Sequence, residues 1–268
     1  MSLTATTGLS AWYARHGRHD LPWRATGDRW AVLVSEVMLA QTQVGRVAGV
    51  WSGFMSRFPT PEAMAALPAG EVITAWGTLG YPRRARRLWE TARAITASGW
   101  PADLADLPGV GRYTAEAVGA QVDGRDAPAV ETNIRRVVER RAGRRLTPAE
   151  AAAASLEAGR PLGGRDRFLA LMDVGALVCR PRAPRCPECP LSAGCATAAG
   201  AGPPSPDLGR PRRQTPFEGS FRQRRGRVLA RLRTAGPMPQ DDLDPEALAS
   251  LVADGLATLD GALARLPS

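Results

Sequence analysis

The chain has 268 residues, 35 Lys+Arg against 26 Asp+Glu, and a hydrophobic fraction of 44%, which is enough to bury a core in one large domain or two and argues against disorder. No apolar run reaches the roughly 18 residues of a membrane helix, and Met1 to Asp20 lacks the basic-then-apolar order of a signal peptide, so a soluble cytoplasmic protein is expected. The net charge of +9 comes from arginine alone, because there is no lysine, which excludes Schiff-base chemistry on a lysine; the histidines are only His16 and His19, so His-based triads and histidine-rich metal sites are not expected.

Apolar residues recur at helical spacing around Trp30–Val47, Glu71–Trp76, Arg83–Ile95, Tyr113–Val122, Asn133–Ala142 and Arg167–Val178, with Pro and Gly breaks between them. The region from Leu9 to Thr197 is therefore read as all-α. A linker over 198–219 follows, rich in Gly, Pro and Arg. Beyond it come a basic amphipathic helix over Phe221–Thr234, a second helix near Pro245, and two short segments around Asp260-Gly261 that signal a β-hairpin. Residues 220–268 fit a small winged-helix-like module, or a tail packed on the main domain.

The excess of arginine suits a polyanionic partner, nucleic acid being the commonest, or a solvated arginine-rich surface. Two motifs are sharper. All four cysteines, Cys179, Cys186, Cys189 and Cys195, fall in one C-x6-C-x2-C-x5-C segment. A single C-x2-C knuckle with no His nearby favours a [4Fe–4S] cluster over structural zinc. In Leu107-Pro108-Gly109-Val110-Gly111-Arg112-Tyr113 the two glycines allow a sharp turn, whose N–H groups at the start of the next helix suit a DNA phosphate. A plain helix–helix turn would use the same residues.

Together with Leu21-Pro22-Trp23-Arg24, Ser35-Glu36-Val37-Met38-Leu39-Ala40-Gln41-Thr42-Gln43-Val44 and Gly77-Thr78-Leu79-Gly80-Tyr81, these motifs resemble the helix-hairpin-helix DNA glycosylases, most closely the MutY adenine glycosylases. The likeness runs from about Leu9 to Ala196. It implies two helical lobes, a six-helix barrel over about 22–130 and a cluster lobe over about 1–21 and 131–197, flanking a pocket for a flipped base. It implies double-stranded DNA with a mismatch or lesion as partner, at the nucleoid, and a monomeric enzyme that removes adenine opposite 8-oxoguanine or guanine. The family's Nudix-like C-terminal domain has no counterpart after Pro216.

Glycosidic cleavage needs an acid for the leaving base and a negative charge near the cationic sugar. Glu36, in the apolar stretch Val32–Leu39, is expected to hold a raised pKa and a proton to donate, and the resemblance makes it the family's acid. The second carboxylate departs from the family, because Glu131 stands where an Asp is usual, adding one methylene. Its assigned role is oxocarbenium stabilisation, and an ion pair with a nearby arginine is the alternative. Tyr113 occupies the place of the catalytic lysine of bifunctional relatives, so the enzyme is expected to be monofunctional. Leu169 stands where many members carry Gln or Glu toward adenine, which resembles the thymine mismatch glycosylases, unless it simply packs in a helix. The resemblance makes Tyr81 a wedge beside the flipped base and the arginines after it phosphate ligands. Leu21, Trp23, Arg24, Gln41 and Thr42 are read as lining the DNA or base site, with Gly109 and Gly111 at a phosphate. Removal of thymine or uracil opposite guanine, and a DNA-binding paralogue with weakened catalysis, are the other readings.

Overall fold

The computed structural model describes residues 6–126, 129–201 and 216–268. Ala127 and Pro128, and positions 202–215 of the expected linker, lie outside the described residues. In chain order the helices are α1 (Thr6–His16), α2 (Arg29–Leu39), α3 (Val44–Arg57), α4 (Pro61–Ala65), α5 (Ala69–Trp76), α6 (Arg83–Ser98), α7 (Arg112–Val122), α8 (Thr132–Ala142), α9 (Pro148–Ala158) and α10 (Gly164–Asp173). The C-terminal residues add α11 (Phe221–Ala235), β1 (Met238–Pro239), α12 (Pro245–Ala253), β2 (Thr258–Asp260) and β3 (Leu263–Arg265). None of the described helices is long and apolar enough to cross a membrane. The chain divides into two compact units, Met1–Val32 with Gly111–Arg212, and Leu33–Val110 with Arg213–Ser268.

In the first unit, α1 contributes Leu9 and Tyr13 to a buried cluster with Ala117 and Ala120 of α7, Ile134 and Val137 of α8, and Phe168 and Leu171 of α10. Helix starts are written in polar residues. The Asp28 carboxylate accepts Ala31 N–H at 2.7 Å before α2, and Thr147 with Glu150 forms a capping box on α9. The helical pattern over Arg167–Val178 is wound in two ways. α10 ends at Asp173, and Val174–Val178 forms a π-helical turn that delivers the chain to Cys179.

In the second unit, α4 and α5 both pack on α6. The buried face of α6 carries Ala85, Leu88, Ala92 and Ile95, the three- and four-residue spacing of one helical stripe. The Phe54 ring lies 4.8 Å from Phe58 and 5.9 Å from Trp76. The apolar pattern over Trp30–Val47 predicts one helix, but the structure breaks it at Leu39 and restarts it at Val44. The break lies in the backbone, with Gln41 in the left-handed region at φ 58°, and no Gly or Pro marks it in the sequence.

The Asp260-Gly261 hairpin forms as expected. Its strands complete an antiparallel sheet in the order β1-β3-β2, with Met238 opposite Ala264 and Leu259 opposite Ala264 on the other side. Helices followed by this sheet give the winged-helix-like build, and the same residues also pack on α5 and α6. Gly70 N–H donates to Pro267 O at 2.7 Å, and Arg86 Nη1 to Asp254 O at 2.8 Å.

Candidate active site

In the second unit, α2 holds Glu36 at 9% exposure among Leu33, Val34 and Met38, which are wholly buried. Arg84, from the first turn of α6, reaches the end of that helix. Its Nη1 donates to the carbonyls of Val37 at 2.8 Å, Met38 at 3.0 Å and Ala40, and its Nη2 to Thr42 Oγ1 at 2.9 Å and Gly80 O at 3.2 Å. The last carbonyls of a helix have no partner within it, and a cation there also meets the negative end of the dipole. One guanidinium thus caps the Glu36 helix and ties it to two turns.

Those turns carry Gln41 and Tyr81. Both are exposed, at φ 58° and 49°, a conformation that costs a residue with a Cβ about 1–3 kcal/mol and persists only where its surroundings enforce it. The Arg84 guanidinium lies 5.2 Å from the Tyr81 ring and 5.3 Å from that of Trp76. The arginines after Tyr81 therefore divide. Arg84 turns inward and Arg86 pairs with Glu90 at 3.1 Å, whereas Arg83 and Arg87 are exposed.

Burial of Leu107 and Val110 anchors the next turn, with Val110 N–H donating to Leu107 O at 3.1 Å. Gly109 has φ 75°, and a Cβ there would lie 2.7 Å from Cβ of Arg87, so the turn admits only glycine. Gly111 caps α7 without a side chain, so bare backbone stands at the start of that helix, where the dipole favours an anion. Tyr113, in that first turn, is half-buried against the core of the first unit.

Glu131 is the N-cap of α8. Its Oε1 accepts Asn133 N–H at 2.5 Å and Ile134 N–H at 3.0 Å, and its Oε2 accepts Asn133 Nδ2 at 3.2 Å. Asp, Asn and Ser are the usual caps, so the longer Glu folds back to make the contacts of a shorter residue. Burial raises its pKa, opposed by those two N–H groups and by the Arg136 charge. Arg136 is 1% exposed and donates to Asn133 Oδ1 at 2.7 Å, Gly175 O at 2.6 Å and Cys179 O at 2.6 Å. The expected arginine pairing is thus indirect, running through Asn133 rather than by a salt bridge.

The four cysteines, each half-buried, line one pocket with Val137, Val178, Leu191, Arg140 and Arg141. Arg140 Nη1 donates to Cys179 Sγ at 3.4 Å, and Cys195 Sγ to Arg140 O at 3.6 Å. Burial pushes the Cys189 thiol up to about 11; a hydrogen bond from the Leu191 backbone opposes this, and Cys179, Cys195 and Cys186 add to it. Such thiols ionise when a metal binds, and nearby arginines offset the charge. The donor set is all sulfur, and among the described residues no three His, Cys, Asp or Glu converge tightly enough to hold a single metal ion.

The remaining expected site residues are internal. Leu21 and Trp23 are buried at 9% and 3% exposure, and Leu169, at 5%, belongs to the core cluster of the first unit. Arg24 forms a bidentate pair with Asp173, Nη1–Oδ2 2.7 Å and Nη2–Oδ1 2.9 Å, and both side chains are buried, at 6% and 0% exposure. It therefore braces the fold instead of facing a phosphate. Sequence reasoning missed Arg84 as a helix cap. Its only signal is position, since residue 84 shares the 84-88-91-95 stripe with buried Leu88, Thr91 and Ile95.

Residues 34–161 match the model of the HhH-GPD superfamily base excision DNA repair proteins. Over 96% of its length the chain is 42% identical to an adenine DNA glycosylase of Mycobacterium tuberculosis, covering 92% of that protein. The chain belongs to the adenine DNA glycosylase family. A family member from Mycolicibacterium smegmatis is also 42% identical, with 96% of this chain and 94% of that protein covered. The structure of a thermostable thymine-DNA glycosylase superposes on this glycosylase with a TM-score of 0.64 at 31% identity, covering 74% of this chain and 95% of that one.

Proposed function

We propose that the protein is a monofunctional DNA glycosylase that binds mismatched or damaged duplex DNA in the cytoplasm and removes adenine opposite 8-oxoguanine or guanine. The observation that carries this reading is a buried carboxyl, Glu36, on an apolar helix of a chain belonging to the adenine glycosylase family. Glu36 gives its proton to the adenine ring, the electron pair of the glycosidic bond leaves with the base, and the sugar becomes an oxocarbenium ion. The Glu131 carboxylate stabilises that cation until water adds to the anomeric carbon and gives up a proton to solvent, from which Glu36 is protonated again. Tyr113 replaces the amine that a lyase would need, so the DNA strand stays intact. The N-terminus of α7, with Gly109 and Gly111, holds a phosphate; Tyr81 enters the stack, with Gln41 and Thr42 at the pocket mouth, and Arg87 contacts the backbone.

The four sulfur donors of this pocket fit a [4Fe–4S] cluster held by Cys179, Cys186, Cys189 and Cys195. When bound, the cluster cross-links the cysteine loop and contributes to folding rather than to the cleavage chemistry. Glu36→Gln tests the acid: base release should be abolished while duplex binding stays near that of the parent, and wild-type turnover would assign the proton to another residue. A duplex panel of A, T and U, each opposite guanine and 8-oxoguanine, tests the substrate. The likeness to a thymine-DNA glycosylase favours thymine opposite guanine as the second reading, and faster release there would replace the first.

A further inference from the structure

The C-terminal residues carry six arginines on α11, and a free polycation would suit DNA. The structure engages five of them internally, Arg222 against the Phe217 ring at 5.9 Å and four through polar contacts. Arg224 pairs with Asp244 at 3.1 Å and with Glu246 at 2.5 Å, Arg225 with Asp254 at 2.5 Å, Arg231 with Asp242 O, and Arg233 Nη1 donates to Gly77 O at 2.8 Å. The second helix of the module, α12, reads Pro-Glu-Ala-Leu-Ala-Ser-Leu-Val-Ala. It has no arginine, and a helix that reads DNA needs side chains that reach bases or phosphates.

The same module grips both helices that flank the Tyr81 loop. On the α5 side, Arg233 holds the carbonyl of Gly77, where the loop begins at φ 57°. Gly70 lies so close to the C-terminus that a Cβ would sit 2.8 Å from both Leu266 Cβ and Pro267 O. On the α6 side, Arg83 lies 3.5 Å from the Asp254 carboxylate, and Arg86 meets the backbone of Asp254. A Cβ at Gly255 would fall 1.4 Å from Arg86 Nη1, so that contact requires a glycine. The loop between these grips holds Tyr81 in its left-handed conformation. Arg84 secures the loop from within, and the module secures its two ends.

We propose that residues 216–268 act as an intramolecular brace that presets the Tyr81 loop, with Arg233 as a positioning residue, and that they do not read the lesion. The functional consequence rests on the reading of Tyr81 as the wedge; the brace itself does not. The test uses the full chain, with hydrogen exchange of the Gly77–Arg83 amides, single-turnover adenine release, and the thermal midpoint. Arg233→Met, which keeps the aliphatic stem, should speed exchange in that segment about tenfold, the effect of losing one charge-assisted hydrogen bond. Arg233→Lys, which keeps a donor, should restore most of the protection. Adenine release should slow to a similar extent opposite guanine and opposite 8-oxoguanine. Should Arg233→Met fail to fold, Arg86→Met removes the α6 grip and should give the same exchange signature. Unchanged exchange in the folded variants overturns the brace, and a rate loss confined to 8-oxoguanine duplexes overturns it in favour of lesion reading. Tyr81→Ala separates the two layers: wild-type release in that variant defeats the wedge reading, while exchange in Arg233→Met still decides the brace.

Discussion

Replacing Glu131 with Gln keeps the size of the side chain and removes its charge, which separates its two roles. As a cap, Gln retains a carbonyl oxygen for the N–H groups of Asn133 and Ile134, which Glu131 Oε1 now holds at 2.5 and 3.0 Å. The second oxygen becomes an NH2 group facing Asn133 Nδ2, where Oε2 now accepts at 3.2 Å. Asn133 cannot turn its own oxygen toward that NH2 without cost, because Oδ1 is held by Arg136 at 2.7 Å. One hydrogen bond is lost and two donors face each other, for a stability loss of about 1–2 kcal/mol. The chemical step loses an electrostatic contribution of about 3 kcal/mol, roughly a hundredfold in rate. The assay is single-turnover adenine release at saturating enzyme, with urea unfolding in parallel. Burial raises the Glu131 pKa, so the folded state favours the protonated form. This position therefore contributes most to stability in acid, and that contribution is lost as pH rises through the raised value, while the rate rises as the carboxylate forms. The parent should lose activity on the acid side above the usual carboxylate range, and Glu131→Gln should lack that limb. A Gln variant within threefold of the parent rate would refute the electrostatic role and leave Glu131 a cap alone.

Protein purified without oxygen should be brown and contain about four irons per chain; stoichiometric zinc without iron would exclude the cluster. Asp173→Asn removes the negative charge and one of the two acceptor oxygens that hold Arg18, at 2.6 Å, and Arg24, at 2.7 Å, and turns an NH2 group toward those donors at a wholly buried position. The loss should be about 3–5 kcal/mol and the fall in thermal midpoint about 10 °C at pH 7. Burial opposes ionisation of Asp173, but the hydrogen bonds and charges of Arg24 and Arg18 outweigh it and hold the pKa below the ordinary value. The stabilisation is therefore full above the unfolded carboxyl's pKa and is lost as pH falls through the lower folded value, so parent and variant should converge in strong acid.

Much of this protein is legible in local sequence. Helical spacing, the Asp260-Gly261 turn, the Pro108–Gly111 turn and the cysteine segment all depend on neighbours within a few residues, whose steric and hydrogen-bonding preferences act wherever the chain goes. The resemblance of the motifs to a glycosylase family was equally local, and the family match agrees with it. What the sequence leaves open is which of many similar charges does which task. Arg24, Arg84, Arg136 and Arg233 are the same residue type in arginine-rich surroundings, and only the packed chain gives each its acceptor: Asp173, the carbonyls ending α2, the Asn133–Cys179 network, and Gly77 O. The break after Leu39 has the same origin, since an apolar stripe runs through it and the left-handed turn at Gln41 is held by Arg84, which grips the residues on either side of it. A guanidinium chooses partners by where carbonyls and carboxylates lie unpaired in three dimensions, and contacts across more than a hundred residues, such as Arg24 with Asp173 and Arg233 with Gly77, exist only once the tertiary structure has brought them together.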